Sequence, residues 1–297
     1  MTIKLGIIGL SDGNGHPYSW SAIFNGYNPE KMEDCGFPVI PRYLEEQRWP
    51  DASIPGAEVT HIWTQDSKLS KKVAEAANIP NIVEQFTDMI TKVDAVLLAR
   101  DDAETHYEYA APFLKAGLPI YIDKPIALSI DELQKLYNLE QYPGQIFTCS
   151  ALRYAQELNL SETDNQSIGK ILHVQASIPK DWDKYGVHII EPVLKIIGDQ
   201  GGIVRSQVWR QDDFVSVNLL WESGLQSNIS TFGDTVSPLT IRVMGDSGWK
   251  ELCFKDTFSA FKLALIDFIT GVENCDVRIN PVYVRRLVEI IEIGRNK

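Results

Sequence analysis

Cysteine is scarce in this chain, and its few cysteines stand far apart. The four are Cys35, Cys149, Cys253 and Cys275, and no two of them form a C-x-x-C pair. Structural zinc sites are usually built from closely spaced cysteine or histidine ligands, so we expect no metal site. A reduced, cytoplasmic protein is the simplest expectation from this pattern of cysteines.

Positive charge and long apolar runs are lacking as well. The 28 lysines and arginines stand against 40 acidic residues, which gives a formal net charge of −12. This acidic balance disfavours partners such as nucleic acid and anionic membrane surfaces. No stretch approaches the roughly 18 apolar residues of a membrane span. The first residues, M-T-I-K-L-G-I-I-G-L, lack the length and cleavage site of a signal peptide and are predicted to form a strand.

Length and patterning predict two domains of different architecture. The chain has 297 residues, which is long for one domain. Residues 1–150 alternate between apolar runs and helical patterns, which predicts a parallel sheet covered on both faces. Later runs such as F-V-S-V-N-L-L-W predict antiparallel strands of an α+β domain with an open sheet. We place the domains at 1–125 and 126–297, with the strand at 145–150 and the closing helix near 281–294 as candidates to pack on the first.

Residues 26–57 form an unusually long connection that is rich in proline and aromatic residues. Connections between a helix and a strand are usually about two to six residues long. This segment is therefore an insertion, for which we expect a role as a lid or a subunit contact.

A glycine-rich stretch follows the first strand and leads into a predicted helix. It reads G-L-S-D-G-N-G-H-P (9–17). A strand, a glycine turn and a helix start form the setting in which backbone N–H groups bind phosphate. The G-x-G-x-x-G spacing counted from Gly9 would put glycines where Ser11 and Asn14 stand, so a plain glycine turn remains the alternative. The candidate phosphate-binding residues are Gly9, Ser11, Gly13, Asn14 and Gly15.

The end of the second strand is where a dinucleotide-binding fold meets the adenosine ribose. The strand V-T-H-I-W-T ends at Thr64, and Asp66 is the nearest carboxylate. We take Thr64 and Asp66 as candidate ribose contacts.

The stretch P-I-Y-I-D-K-P-I (119–126) supplies the first catalytic candidate. I-Y-I is predicted to be a buried parallel strand, and Pro125 ends it near Lys124. Open α/β sheets bind ligands at the carboxyl ends of their strands. An ammonium group there can stabilise developing alkoxide charge. A surface lysine without a role is the alternative.

The second catalytic candidate is His188, in a segment that leads into a helix ending at Gly198. Histidine is the side chain best suited to exchange a proton near neutral pH. Glu191 lies three residues later, on the same helix face, and is placed to orient the ring. A packed structural histidine is the alternative.

Several of these segments together resemble the Gfo/Idh/MocA oxidoreductases, the family of glucose-fructose oxidoreductase and inositol dehydrogenase. I-D-K-P-I-A-L-S (122–129) is similar to the family's E-K-P-x-A-L-S element. His106-x-x-x-Ala110 with L-K-A-G (114–117) resembles its H-x-x-x-A…A-L-x-A-G-K stretch. G-V-H-I-I-E (186–191) resembles its G-x-H-x-x-D. The closing helices match in order too, so the resemblance spans the whole chain.

The resemblance implies a Rossmann N-terminal domain, an α+β C-terminal domain, and NAD or NADP as cofactor. It also implies hydride transfer to or from an alcohol carbon of a sugar-like small molecule, and a homo-oligomer, dimer or tetramer. By the same resemblance, His106 and Lys124 contact the cofactor. The family's catalytic aspartate falls on Lys184 here, and Asp183 and Tyr185 flank that position as its possible substitutes.

Three functions stay open on the sequence. The first is an NAD(P)-dependent oxidoreductase acting on a sugar or polyol derivative. The second is a redox-inactive family member that works as a binding or regulatory module, which the altered glycine spacing, Lys184 and the acids 101–102 favour. The third is a hydrolase or lyase that uses a bound nucleotide.

Overall fold

The computed structural model describes residues 2–296, whose contacts divide the chain into two compact units. The first unit comprises the residues up to Ala127, Asp131–Cys149 and Phe261–Asn280. The second comprises Leu128–Ile130, Ser150–Ala260 and the residues from Pro281 onward. Each unit is thus assembled from separate stretches of chain. The closing helix, Pro281–Arg295, belongs to the second unit, whereas from the sequence it is a candidate to pack on the first domain.

A six-stranded parallel sheet forms the centre of the first unit. Its strands are β1 (Ile3–Ile8), β2 (Ala57–Trp63), β3 (Asn81–Ile82), β4 (Ala95–Leu98), β5 (Ile120–Ile122) and β6 (Ile146–Phe147). They lie in the order β3-β2-β1-β4-β5-β6. Every residue of β4 and β5 is buried, because apolar side chains on both faces of the sheet are covered.

The helices of the N-terminal half are short. They are α1 (His16–Asn25), α2 (Pro29–Glu33), α3 (Val39–Glu45), α4 (Ser67–Ala76), α5 (His106–Lys115) and α6 (Ile130–Tyr137). Single 3₁₀ turns lie at Phe86–Met89, Ala103–Thr105, Ala151–Tyr154 and Gln156–Leu158.

The insertion 26–57 contains α2 and α3 and packs against the glycine-rich loop. A Cβ added at Gly15 would lie 2.6 Å from Ile40 Cδ1 and 2.8 Å from Phe37 Cγ. The insertion therefore forms part of the wall behind the loop and holds it against the start of α1.

A six-stranded, mainly antiparallel sheet forms the centre of the second unit. Its helices α7 (Glu162–Ile168), α8 (Trp182–Tyr185) and α9 (Val187–Ile197) precede or interrupt the strands. The strands are β7 (Ile171–Ile178), β8 (Ile203–Gln211), β9 (Phe214–Trp221), β10 (Gln226–Phe232), β11 (Thr240–Gly245) and β12 (Trp249–Cys253). Their order is β12-β11-β7-β10-β9-β8, and β7 and β10 run parallel.

The two faces of this second sheet differ. Val174, Val217 and Ile229 are fully buried on one face, against which α9 and α11 (Pro281–Arg295) pack. The other face carries the exposed aromatic side chains of Trp209 and Phe214. This confirms the predicted fold class, a Rossmann-type parallel sheet followed by an open, mainly antiparallel one.

The helix α10 (Thr257–Asn274) brings late sequence back to the first unit. Its Phe268 ring lies 5.6 Å from the ring of Tyr121 on β5 and 5.6 Å from that of Phe147 on β6. None of the helices formed by residues 2–296 has the length and apolar character of a membrane span. In the same range, no group of three or more His, Cys, Asp or Glu side chains could hold a metal ion.

Candidate functional site

The carboxyl ends of β1, β4 and β5 lie side by side in the first unit. β1 neighbours β4, and β4 neighbours β5. The chain leaves these strands through the loop 9–15, through Arg100–Asp102 and through Asp123–Lys124. Because ligands of open α/β sheets bind outside such strand ends, this edge is the candidate site of the first unit.

Three glycines give the loop after β1 its shape. A Cβ at Gly9 would collide with Pro17, and one at Gly15 would collide with the insertion, so both positions need glycine for packing. Gly13 is exposed, has a φ of +77°, and would leave an added Cβ with nothing within 4 Å. The loop is therefore closed against α1 and open to solvent at Gly13.

Ser11 and Asn14 fasten the loop to the neighbouring strand ends. Ser11 Oγ donates to Asp101 Oδ1 at 2.6 Å and accepts the Asp101 N–H at 3.0 Å. Asn14 Nδ2 donates to Asp123 Oδ2 at 2.8 Å, while Asn14 Oδ1 accepts the N–H of His16 at 2.8 Å. The two positions that break the glycine spacing thus carry the side chains that hold this loop in place.

Lys124 is buried at the end of β5 and pairs with an acid at the end of β4. Its Nζ lies 3.6 Å from Asp101 Oδ2, and both side chains are 6% exposed. Lys124 is therefore not a surface lysine. The next acid, Asp102, accepts from Arg100 Nε at 3.0 Å. Both acids after β4 face a cation, so neither presents an unbalanced charge to a phosphate.

Asp123 is fully buried, and its carboxylate stays ionised. Burial alone would raise the pKa of Asp123, but electrostatic interactions with His16 and Lys124, with hydrogen bonds from His16 and Asn14, lower it to about 2. Its Oδ1 accepts the backbone N–H of Lys124 at 2.7 Å. The carboxylate is thus held by contacts on both of its oxygens.

Thr64 and Asp66, the two candidate ribose contacts, both make hydrogen bonds within their own loop and the start of α4. Thr64 Oγ1 donates to the Asp66 carbonyl at 2.6 Å and lies 2.9 Å from Ser70 Oγ, so it points inward. The Asp66 carboxylate caps the start of α4. Between them, Gln65 reaches over the glycine loop and donates from Nε2 to the Leu10 carbonyl at 2.7 Å.

His106 joins the loops that follow β4 and β5. It is 1% exposed, with Nδ1 lying 3.0 Å from the Ile126 carbonyl and Nε2 lying 2.8 Å from the Arg100 carbonyl. Both ring nitrogens are engaged by the protein itself. The side chain therefore positions the two loops, and any effect of it on a cofactor acts through them.

The candidate group of the second unit is centred on His188, the second residue of α9. His188 Nδ1 lies 2.7 Å from Ser150 Oγ, and the Ser150 N–H donates to Glu191 Oε2 at 2.5 Å. Glu191, expected to orient the histidine, is linked to it through Ser150. Tyr185 stands beside the imidazole, with its ring 5.6 Å away, whereas Asp183 pairs with an arginine of α11.

Glu191 is buried and has an unusual proton affinity. Burial raises the pKa of Glu191 to about 7, although the neighbouring Arg153 charge and the Ser150 N–H pull it down. The Arg153 guanidinium lies 3.6 Å away and stacks on the Tyr283 ring. Tyr283 in turn donates its hydroxyl to the Glu191 carbonyl at 2.8 Å.

Sequence reasoning missed two of the site's side chains, His16 and Ser150. Their partners Asp123 and His188 are distant in sequence. The one local signal was the place of His16, directly between the glycine loop and Pro17 at a predicted helix start.

Comparison with known families bears on the first of these sites. Residues 40–150 match a family model described as an oxidoreductase family with an NAD-binding Rossmann fold. This part of the chain is therefore similar to the Gfo/Idh/MocA oxidoreductases. The matched segment includes Lys124, His106 and both acids that follow β4. No curated protein sequence matches the chain.

Solved structures of oxidoreductases share the fold over nearly the whole chain. A myo-inositol 2-dehydrogenase from Lactobacillus plantarum is 16% identical with a TM-score of 0.72, covering 98% of this chain and 96% of its own. A myo-inositol dehydrogenase from Lactobacillus casei in complex with NAD(H) and myo-inositol is 14% identical, with a TM-score of 0.74 and coverages of 99% and 94%. An oxidoreductase from Thermotoga maritima is 16% identical, with a TM-score of 0.72 and coverages of 99% and 96%. At these identities the likeness is one of fold.

The strand-end edge of the first unit fits the NAD that the family model names. The Gly13 bend is open, as a close approach of phosphate requires. Arg100 places a guanidinium at the base of the loop, where it donates to the Leu10 carbonyl at 3.3 Å. The acids at 101 and 102 are already paired with cations, so they do not oppose a pyrophosphate.

Proposed function

We propose that the protein is an NAD(P)-dependent oxidoreductase that transfers hydride between a nicotinamide cofactor and a secondary alcohol or ketone of a sugar or polyol derivative. The observation that carries this proposal is Lys124. It is a buried, ion-paired lysine at the carboxyl end of β5, inside the family-matched segment. An ammonium group held there is suited to stabilise negative charge on an alcohol oxygen.

The loop Ser11–Gly13 would hold the cofactor phosphates through its backbone N–H groups, with Arg100 at the base of the loop, where it donates to the Leu10 carbonyl. The bound cofactor supplies the hydride acceptor or donor. Lys124 orients the substrate oxygen. Asp101 lies 3.6 Å from Lys124 Nζ and forms an ion pair with it.

His188 is the corresponding candidate in the second unit. Ser150 Oγ lies 2.7 Å from its Nδ1, and an imidazole can exchange a proton near neutral pH. Tyr185 is the nearest flanking candidate to that ring, since Asp183 is engaged with Arg295 at 3.1 Å. We propose His188, with Ser150 Oγ 2.7 Å from its Nδ1, as the candidate substrate-contacting residue of the second unit.

The polyol class of substrate is proposed from the structural neighbours. One of them was solved with NAD(H) and myo-inositol bound. We further propose a homo-oligomer formed through the open face of the second sheet, where Trp209 and Phe214 are 53% and 49% exposed.

Titration with NADH and with NADPH, followed by nicotinamide fluorescence, tests the cofactor directly. We expect at least one of them to bind at sub-millimolar concentration and a polyol to reduce the oxidised form. Absence of binding by both rejects the proposal. Binding without turnover on any polyol or sugar favours the redox-inactive binding module.

Lys124→Met should keep cofactor affinity and lose turnover by about 100-fold or more, because the group that stabilises the alcohol oxygen is gone. The double variant Lys124→Met with Asp101→Asn avoids an unpaired buried carboxylate, which by itself destabilises proteins. The matched control is Lys115→Met, at an exposed position on α5. Turnover retained in the double variant removes Lys124 from the chemistry.

A further inference from the structure

His16 occupies a position that the proposed reaction has not used. It is the first residue of α1, directly after the glycine loop, in the same unit as Lys124. Its Nδ1 lies 2.5 Å from Asp123 Oδ2. Asp123 is the residue next to Lys124 in sequence, so the imidazole and the ammonium flank one buried carboxylate.

Hydrogen bonds to both oxygens hold the Asp123 carboxylate in the position from which it contacts His16. Its Oδ2 also accepts from Asn14 Nδ2 at 2.8 Å, and its Oδ1 accepts the Lys124 N–H at 2.7 Å. An ionised carboxylate at Nδ1 selects the tautomer in which Nδ1 carries the proton and Nε2 is the acceptor. It also stabilises the imidazolium that forms when Nε2 takes up a proton.

The imidazole ring itself is held in one orientation. It stacks on Trp20, with ring centroids 4.9 Å apart and planes 14° apart. The ring of Phe261 meets it edge-on at 5.0 Å. Among residues 2–296, no hydrogen bond engages Nε2, and the His16 side chain is 15% exposed. One nitrogen is thus anchored, and the other remains available to a ligand.

We propose that His16 and Asp123 form an acid–base dyad of the active site, with His16 as a catalytic residue that exchanges the substrate proton. This inference rests on the proposed oxidoreductase function. In the direction of oxidation, the alcohol O–H bond breaks and its proton goes to His16 Nε2. The C–H electron pair leaves as hydride to the oxidised nicotinamide cofactor, and the alcohol carbon becomes a carbonyl. Reduction runs the same transfers in reverse.

The charged groups around the dyad suit this step. Asp123 supplies the counter-charge, while Lys124, paired with Asp101, adds the cation that favours an alkoxide. Trp20 from α1 and Phe261 from α10 contribute apolar walls.

If the role of His16 were purely structural, its contact with Asp123 would only hold the start of α1 against the end of β5. The variant His16→Asn separates the two roles. Its side-chain N–H₂ stands where Nδ1 stood and can still donate to Asp123, but it cannot take up a proton. The matched control is His61→Asn, since His61 is a half-buried histidine of β2 whose ring bonds Thr60.

The first measurement needs no cofactor. Diethyl pyrocarbonate acylates accessible, unbonded imidazole nitrogens, and peptide mass mapping of the folded protein locates the product. We expect modification at His16 and protection at His106, whose two nitrogens are both engaged. Protection of His16 would overturn the proposal, because Nε2 would then be closed to any substrate.

The second measurement compares cofactor affinity and turnover. His16→Asn should keep the NADH or NADPH dissociation constant within about threefold and lose turnover by about 100-fold or more. His61→Asn should keep both. Wild-type-like turnover in a folded His16→Asn protein overturns the dyad alone and leaves the oxidoreductase proposal standing. A wild-type protein that binds neither cofactor overturns both.

Discussion

Two buried carboxylates of this protein behave in opposite ways. The pKa of Asp123 is lowered to about 2, whereas that of Glu191 is raised to about 7, although both are removed from water. Asp123 accepts hydrogen bonds from His16 and Asn14, and the nearby Lys124 further lowers its pKa. Glu191 has one short hydrogen bond and a guanidinium 3.6 Å away, so the cost of desolvation dominates.

Glu191 should therefore make stability fall as the pH rises. Between its ordinary pKa of 4.5 and the folded-state value of about 7, the folded chain keeps a proton that the unfolded chain has lost. The stabilisation is complete below pH 4.5 and disappears as the pH rises through 7, with a change of up to about 3 kcal/mol. Glu191→Gln should flatten this part of the profile, as measured by urea unfolding between pH 4.5 and 8.

The control for this experiment is Glu289→Gln, which removes a partly exposed carboxylate of α11 paired with Arg286. That variant should retain the wild-type slope. If Glu191→Gln shows the same slope as wild type, Glu191 is ionised throughout and its proton plays no part in stability.

Among the elements, the insertion is the one that shapes the glycine loop. Ile40 of α3 and Phe37 just before that helix sit where a side chain at Gly15 would project. Gly9 meets Pro17 in the same way at the other end of the loop. Glycine is required at these two positions by the protein's own packing, and only Gly13 is left open.

Gly15→Ala should destabilise the protein by about 1–3 kcal/mol, because the new methyl group overpacks the wall formed by the insertion. Ile40→Val removes the Cδ1 atom 2.6 Å from that methyl and should restore part of the loss in the double variant. Phe37, at 2.8 Å, keeps the rescue incomplete. Urea unfolding of the two single variants and the double variant measures the coupling, and strictly additive losses would argue against the contact.

Periodicity predicted the elements and the fold class because both depend on short-range patterns. The alternation up to residue 150 fixed a parallel sheet, and the later short runs fixed an open one. The partners within the site could not be predicted in that way. Ser11 bonds Asp101 across 90 positions, and Asn14 bonds Asp123 across 109. The missing glycines left a plain turn as the alternative, whereas the structure shows that Ser11 and Asn14 hold the loop in place.

For the molecule as a whole, the open face of the second sheet is the proposed contact between copies. Trp209 on β8 lies beside Ser216 on β9, and Phe214 follows on the same face. Exposed aromatic side chains on a monomer are a common sign of association.

Sedimentation velocity should give a mass above that of the 33.4 kDa chain for the wild type. Trp209→Asp should shift it toward the monomer, because a charge is costly to bury in an interface. The matched control is Tyr107→Asp, at a side chain of α5 that is 46% exposed, and it should leave the mass unchanged. A wild-type protein that sediments as a monomer would rule out this contact.

The return of α10 to the first unit has a consequence for biosynthesis and for domain exchange. Phe268 covers Tyr121 and Phe147, and Phe261 supports the ring of His16. The strands of the first unit are synthesised before residues 261–280. The apolar side chains that Phe268 covers therefore stay exposed until those residues have been made. A continuous cassette of residues 1–150 would lack that cover. Transplanting the nucleotide-binding half into another protein requires both segments to travel together.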